Sequence, residues 1–270
     1  TLAQQLEAAG GTILNTGKWD AGAGGISSGG TFINTNEVKT GTGFSNSGSF
    51  TQTGGSLAGG FTNTGTATFS TSTLSGAIQN DAGTLTVAGD VAANDTLKVT
   101  GGTVAVSGKL TGVTASTVSG GDLKNSGTLT VDTFTQSNGT TTTSGAFTAT
   151  NGATLTGGNF NVTGGTVTAG GTGLANNGAT VNASGGAINA AVKNSAGTFN
   201  VTGGVTAGNN DFTNTGATSV LAISGTGNYS GLKTLTNEAG ASITVATGGS
   251  FSTDTFSQKD AATKTTTGGN

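Results

Sequence analysis

The sequence predicts an all-β fold, a parallel β-helix in which successive turns of chain stack on one another. Three observations carry this expectation. A short unit recurs, most plainly as Phe160-Asn161-Val162-Thr163-Gly164-Gly165 and again as Phe199-Asn200-Val201-Thr202-Gly203-Gly204. Within the units, polar and apolar residues alternate with a period of two, the period of a strand. Between them stand Gly and Asn, and Pro is absent from all 270 residues.

Composition narrows the class further. Gly supplies 52 residues, Thr rivals it, and charged residues make up only 8% of the chain. The apolar share of 32% is low for a globular core. The regular units still separate the chain from Gly-rich disorder. The absence of Cys rules out disulfides and thiolate chemistry. A net charge of −3 without a basic patch argues against a nucleic-acid partner. No apolar run approaches the length of a membrane helix, so no membrane insertion of this segment is expected. With Thr1 first and no leader in view, the chain reads as a processed protein or an excerpt of a longer one.

In chain order, residues 1–10 come first and differ from the rest. Leu2, Leu6 and Ala9 recur at helical spacing, with Gln4, Gln5 and Glu7 on the other faces. Thr1 is placed to cap a short helix and Gly10 to stop it, and the expected form is a short amphipathic helix or an irregular plug that caps the open end of a strand stack, with a frayed terminus as the alternative. Residues 11–256 hold the repeats. Units begin at Phe44-Ser45-Asn46, Phe61-Thr62-Asn63, Ile78-Gln79-Asn80, Leu123-Lys124-Asn125, Leu174-Ala175-Asn176, Val192-Lys193-Asn194, Phe212-Thr213-Asn214 and Leu235-Thr236-Asn237, among others. Spacing is irregular and often near 17 to 20 residues, a period that signals a solenoid. At about 19 residues a turn, the segment makes about thirteen coils in three or so parallel sheets, a rod of roughly 60 Å. Residues 257–270 lose their apolar members and read as a polar tail or linker.

Individual stretches justify the strands. Thr84-Leu85-Thr86-Val87, Thr128-Leu129-Thr130-Val131 and Thr166-Val167-Thr168 put apolar residues on one face and Thr on the other. Gly and Asn accept the backbone angles of sharp turns, which accounts for the glycine content without a ligand. Gly101-Gly102 and Gly164-Gly165 are not phosphate loops, because no helix follows them. Asn residues at matched turns are expected to stack as ladders of side-chain amides. The Phe residues, mostly at unit starts, belong inside.

Units such as Leu123-Lys124-Asn125-Ser126-Gly127-Thr128-Leu129-Thr130-Val131 resemble the passenger repeats of bacterial autotransporters. They are also similar to the repeats of filamentous-haemagglutinin-like exoproteins of two-partner secretion. The resemblance covers nearly all of residues 11–256. It implies a right-handed parallel β-helix, export across an outer membrane, and adhesion, aggregation or matrix building at the cell surface. Gly185-Gly186-Ala187-Ile188 resembles a motif of chlamydial surface autotransporters.

Chemistry finds little to work with. His is absent, and the acidic residues are scattered. Convergence of Asp90, Asp95, Asp122 and Asp132 on one face is what a glycan-cleaving carboxylate pair would require. They read as turn residues, and no catalytic, cofactor-binding or metal site is assigned. Asn94-Asp95-Thr96-Leu97 resembles part of a calcium-binding repeat, so calcium is the single cofactor kept open. Asn-x-Ser/Thr triplets, including those at Asn161, Asn182 and Asn200, are read as accidents of composition. Trp19 and Tyr229 are candidate contact points, with Trp19 placed against the end cap.

The expected function is a non-enzymatic, extracellular structural or adhesive solenoid. Its partners would be a host or neighbouring cell surface, a glycan, or further copies of itself. A self-assembling filament or biofilm-matrix subunit is the alternative. A third reading, ice binding, rests on Thr-x-Thr pairs such as Thr64-Thr66-Thr68 and Thr154-Thr156; irregular coil lengths are expected to scatter these over several faces.

Overall fold

The computed structural model describes residues 6–260 and 263–268. Within them lie 34 β-strands and no helix, and the chain forms a parallel β-solenoid of about 14 turns. Two compact units divide it, Thr1–Asp132 and Thr133–Asn270.

Over most of the first unit each turn lays down three short strands. Phe61–Asn63, Thr66–Phe69 and Ser72–Ser75 make one turn, and Ile78–Asn80, Thr84–Val87 and Asp90–Ala93 make the next. Each strand pairs in parallel with its counterpart one turn on: Phe61 lies opposite Ile78, Ala67 opposite Leu85, and Leu74 opposite Ala93. The result is three faces, numbered first to third in the order the chain visits them. The period of two then sorts side chains by water access. Leu85, Val87, Val104 and Val106 are buried, while Thr84, Thr86 and Thr103 point outward, half-buried.

Stacking turns this alternation into a continuous core. Phe32, Phe44, Phe50, Phe61 and Phe69 are buried with neighbouring ring centroids 4.8 to 5.9 Å apart, in stacked, tilted and edge contacts. Each such ring taken from water favours folding by about 1.5–3 kcal/mol. Ten of the twelve Phe residues are buried, as the unit starts predicted.

Where the first face turns into the second, successive turns touch backbone to backbone. A Cβ on Gly83 would lie 1.9 Å from the carbonyl oxygen of Gly65, and Gly83 has a φ of 62°. Space and backbone angle both demand glycine there.

The expected amide ladders are present and buried. In the first unit Asn46 Nδ2 donates to Asn63 Oδ1, and Asn63 Nδ2 to Asn80 Oδ1, each at 2.8 Å. A second ladder links Asn15, Asn34 and Gln52 at 2.7 and 2.8 Å. In the second unit Asn176, Asn194, Asn214 and Asn237 are joined at 2.8, 2.8 and 2.9 Å. Their rungs lie 17 to 23 residues apart, which is the length of a turn. Long strands that run round a corner begin with Lys109–Val118 in the first unit and are frequent in the second, as in Leu174–Ala183 and Asn228–Glu238. Register shifts after Asn176 and between Tyr229 and Leu232 absorb the bends.

Three expectations need correction. Leu6–Ala8 is a strand paired with Ile26–Ser28, not helix; Leu2, which completes the helical pattern, lies outside the described residues. So short a helix is marginal in water, whereas a parallel neighbour supplies hydrogen bonds at once. The tail, 257–270, is not a structureless linker throughout, because within it Lys264–Thr267 is a strand pairing with Ser242–Val245. Its Thr residues suit a strand and need no apolar content to pair. Tyr229 is no contact point: it is fully buried, stacked on Phe199 at 5.9 Å. Trp19 packs on Phe32 at 5.7 Å; residues 1–5, the start of the expected cap, lie outside the described residues.

Candidate interaction surface

The four aspartates do not converge. Asp90 begins a strand of the third face and pairs in register with Lys109. Asp122 begins a strand of the second face, its carboxylate 3.9 Å from Lys124. Asp95 sits in a corner, where its carboxylate accepts the Thr96 N–H at 2.7 Å. That bond reaches only the next residue, within the segment that resembles part of a calcium-binding repeat. Asp132 ends the first unit, in the strand Thr128–Gln136. Among the described residues no group of three or more acidic side chains is placed to hold a metal ion.

Two carboxylates are tuned by hydrogen bonds. The Gly22 N–H, donating to Asp20 at 2.7 Å, holds that carboxyl below its usual value. The Thr263 hydroxyl does the same for Asp260, at 2.6 Å. Both are exposed: Asp20 ends the strand Lys18–Asp20, Asp260 follows the strand Ser250–Gln258, and each holds nearby backbone N–H groups. Burial pushes the Tyr229 phenol upward and keeps it neutral, and its hydroxyl finds no partner.

The outer side of the second face is where polar groups become ordered. In the first unit Ser49, Thr66, Thr84 and Thr103 form one column, and Thr51, Thr68 and Thr86 form another beside it. The rows Ser49-Thr51, Thr66-Thr68 and Thr84-Thr86 therefore lie side by side, against the expectation that irregular coils scatter them. Corner residues absorb the varied coil length, so strand register survives. In the second unit the pair is split: Thr154 lies in the strand Ala153–Leu155 and Thr156 just beyond it.

The second unit carries an amide column on one outer strand face of its own. Asn200 Nδ2 donates to Asn182 Oδ1 at 2.9 Å, Asn182 Nδ2 to Asn161 Oδ1 at 2.9 Å, and Asn161 Nδ2 to Thr142 Oγ1 at 3.3 Å. Sequence reasoning placed ladders at turns and overlooked this one, which lies within strands. The signal was in the duplicated hexapeptide, whose Asn occupies an outward, period-two position both times.

Shallow grooves break the faces. One, of about 380 Å³, lies on the third face of the first unit and includes Thr73, Asp90, Ala92, Lys109 and Thr111. Another, of about 300 Å³, lies on the face of the second unit that carries the outer amide column, beside its end. The repeated coils make the chain a β-solenoid repeat protein. No protein-family model, curated protein or solved structure matches it.

Proposed function

We propose that this chain is a non-enzymatic structural and adhesive solenoid of a bacterial cell surface or secreted protein, of the autotransporter or filamentous-haemagglutinin-like kind. The observation that carries the reading is an ordered outer face in each unit. Hydroxyl groups in the first unit and amide groups in the second repeat at the strand spacing of about 4.8 Å. Such rows offer an extended partner many weak, equivalent contacts, which suits attachment better than turnover. The test is attachment of purified chain to cells and to a glycan panel. Saturable retention supports the reading, and none above an uncoated control overturns it. Electron microscopy at rising concentration separates single particles from a filament subunit.

A second reading is favoured by the three Ser/Thr-x-Thr rows. Successive outward residues of one strand lie about 6.6 Å apart and successive strands about 4.8 Å apart, a grid suited to ordering water. A thermal-hysteresis measurement decides it: a freezing gap that Thr68→Lys abolishes supports ice binding, and no gap removes it.

A further inference from the structure

The outer amide column of the second unit stops one rung short. By register Asn161, Asn182 and Asn200 are followed by Ala222 and then Thr244. Every Nδ2 in the column donates back toward the preceding coil, so each Oδ1 serves the coil that follows. For Asn161 and Asn182 that oxygen is filled by the next Asn. For Asn200 the next coil offers only the methyl of Ala222, and its Oδ1 faces the 300 Å³ groove without a donor. The groove has Thr202, Ser224 and Thr244 around it, and the methyls of Ala222 and Ala246 in its wall.

We propose that this vacancy receives the acetamido group of an N-acetylated sugar. Skipping one rung leaves roughly 9.6 Å between the strands of Asn200 and Thr244, room for one amide with a hydrogen bond at each end. The ligand N–H donates to Asn200 Oδ1, and its carbonyl accepts from the Thr244 hydroxyl. The acetyl methyl covers Ala222 and Ala246, while Thr202 and Ser224 stand where ring hydroxyls emerge. A secondary amide fits this inventory. A primary amide, from a protein Asn or Gln, brings a second N–H toward an apolar wall and no methyl to cover it. The assignment deepens the adhesive reading and rests on it.

The test is titration of the intact chain with the trisaccharide of N-acetylglucosamine and with the matching glucose trisaccharide, which carries hydroxyls in place of acetamido groups. The expected result is binding of the first, with the second weaker by about ten-fold or more. Ala222→Asn completes the ladder from within and lowers affinity by about ten-fold, while Ala222→Gly, which leaves the rung open, stays within about three-fold. Far-ultraviolet circular dichroism confirms that both variants keep the β signal. Equal affinity for the two sugars, undetectable binding of either, unchanged binding by folded Ala222→Asn, or tighter binding of a Gln-bearing peptide overturns the proposal. Cell attachment that persists through any of these leaves adhesion standing without this groove. Sugar binding without attachment to any cell leaves the groove and removes the adhesive role.

Discussion

The second unit holds two ladders of the same chemistry in different surroundings. Inside, Asn176, Asn194, Asn214 and Asn237 are joined at 2.8 to 2.9 Å and fully buried. Outside, Asn161, Asn182 and Asn200 are joined at 2.9 Å and half-buried. The inner amides spend their remaining N–H groups on backbone carbonyls, as Asn194 does on Val220 at 3.1 Å and Asn214 on Ser242 at 2.8 Å. The outer amides leave theirs to water. A hydrogen bond shut away from water has no substitute when broken, whereas an exposed one is exchanged for solvent. The inner ladder therefore fixes corners, and the outer one has capacity left for a partner.

The sharpest way to break this contrast is Asn194→Ala, which leaves Asn176 and Asn214 without their rung. Urea denaturation should show a loss of about 3 kcal/mol, and a loss under about 1 kcal/mol would erase the distinction. Tyr229→Phe tests the converse, a buried hydroxyl that already lacks a partner. Its removal should raise stability by about 1 kcal/mol, and a drop would mean that the hydroxyl is satisfied after all. Asn182→Ala, in the middle of the outer ladder, should cost no more than about 0.5 kcal/mol by the same measurement.

Acid titration gives the mildest effect. Asp20 and Asp260 have folded values below their ordinary 3.8, so their contribution is fully present above pH 3.8. It is lost as pH falls through the lowered values. Amide exchange at Ala239 and Thr263, whose N–H groups donate to Asp260, should therefore quicken relative to the core only below that pH. Selective loss of their protection at neutral pH would contradict it.

The fold was legible because its causes are local. The alternation of Thr84-Leu85-Thr86-Val87 fixes inside and outside, and the Gly and Asn between units fix the corners. Registration across turns was harder to read. Sequence spacing mixes strand and corner residues, so the alignment of Thr66-Thr68 with Thr84-Thr86 emerged only in three dimensions. Tyr229 misled because its hydroxyl suggested a surface, while its position continues the core line of Val205. The end of the outer column was unreadable for the same reason: nothing near Ala222 in sequence announces that it lies below Asn200.

The turn-by-turn register bears on how the molecule comes into being. Each rung reaches back 17 to 23 residues and no farther, so a turn has all it needs once its predecessor exists. Growth can thus proceed by templating, each new layer annealing to the last with little loop entropy to overcome. A polypeptide emerging gradually from a narrow opening could crystallise behind its own leading end and ratchet itself forward, without waiting for distant sequence to arrive.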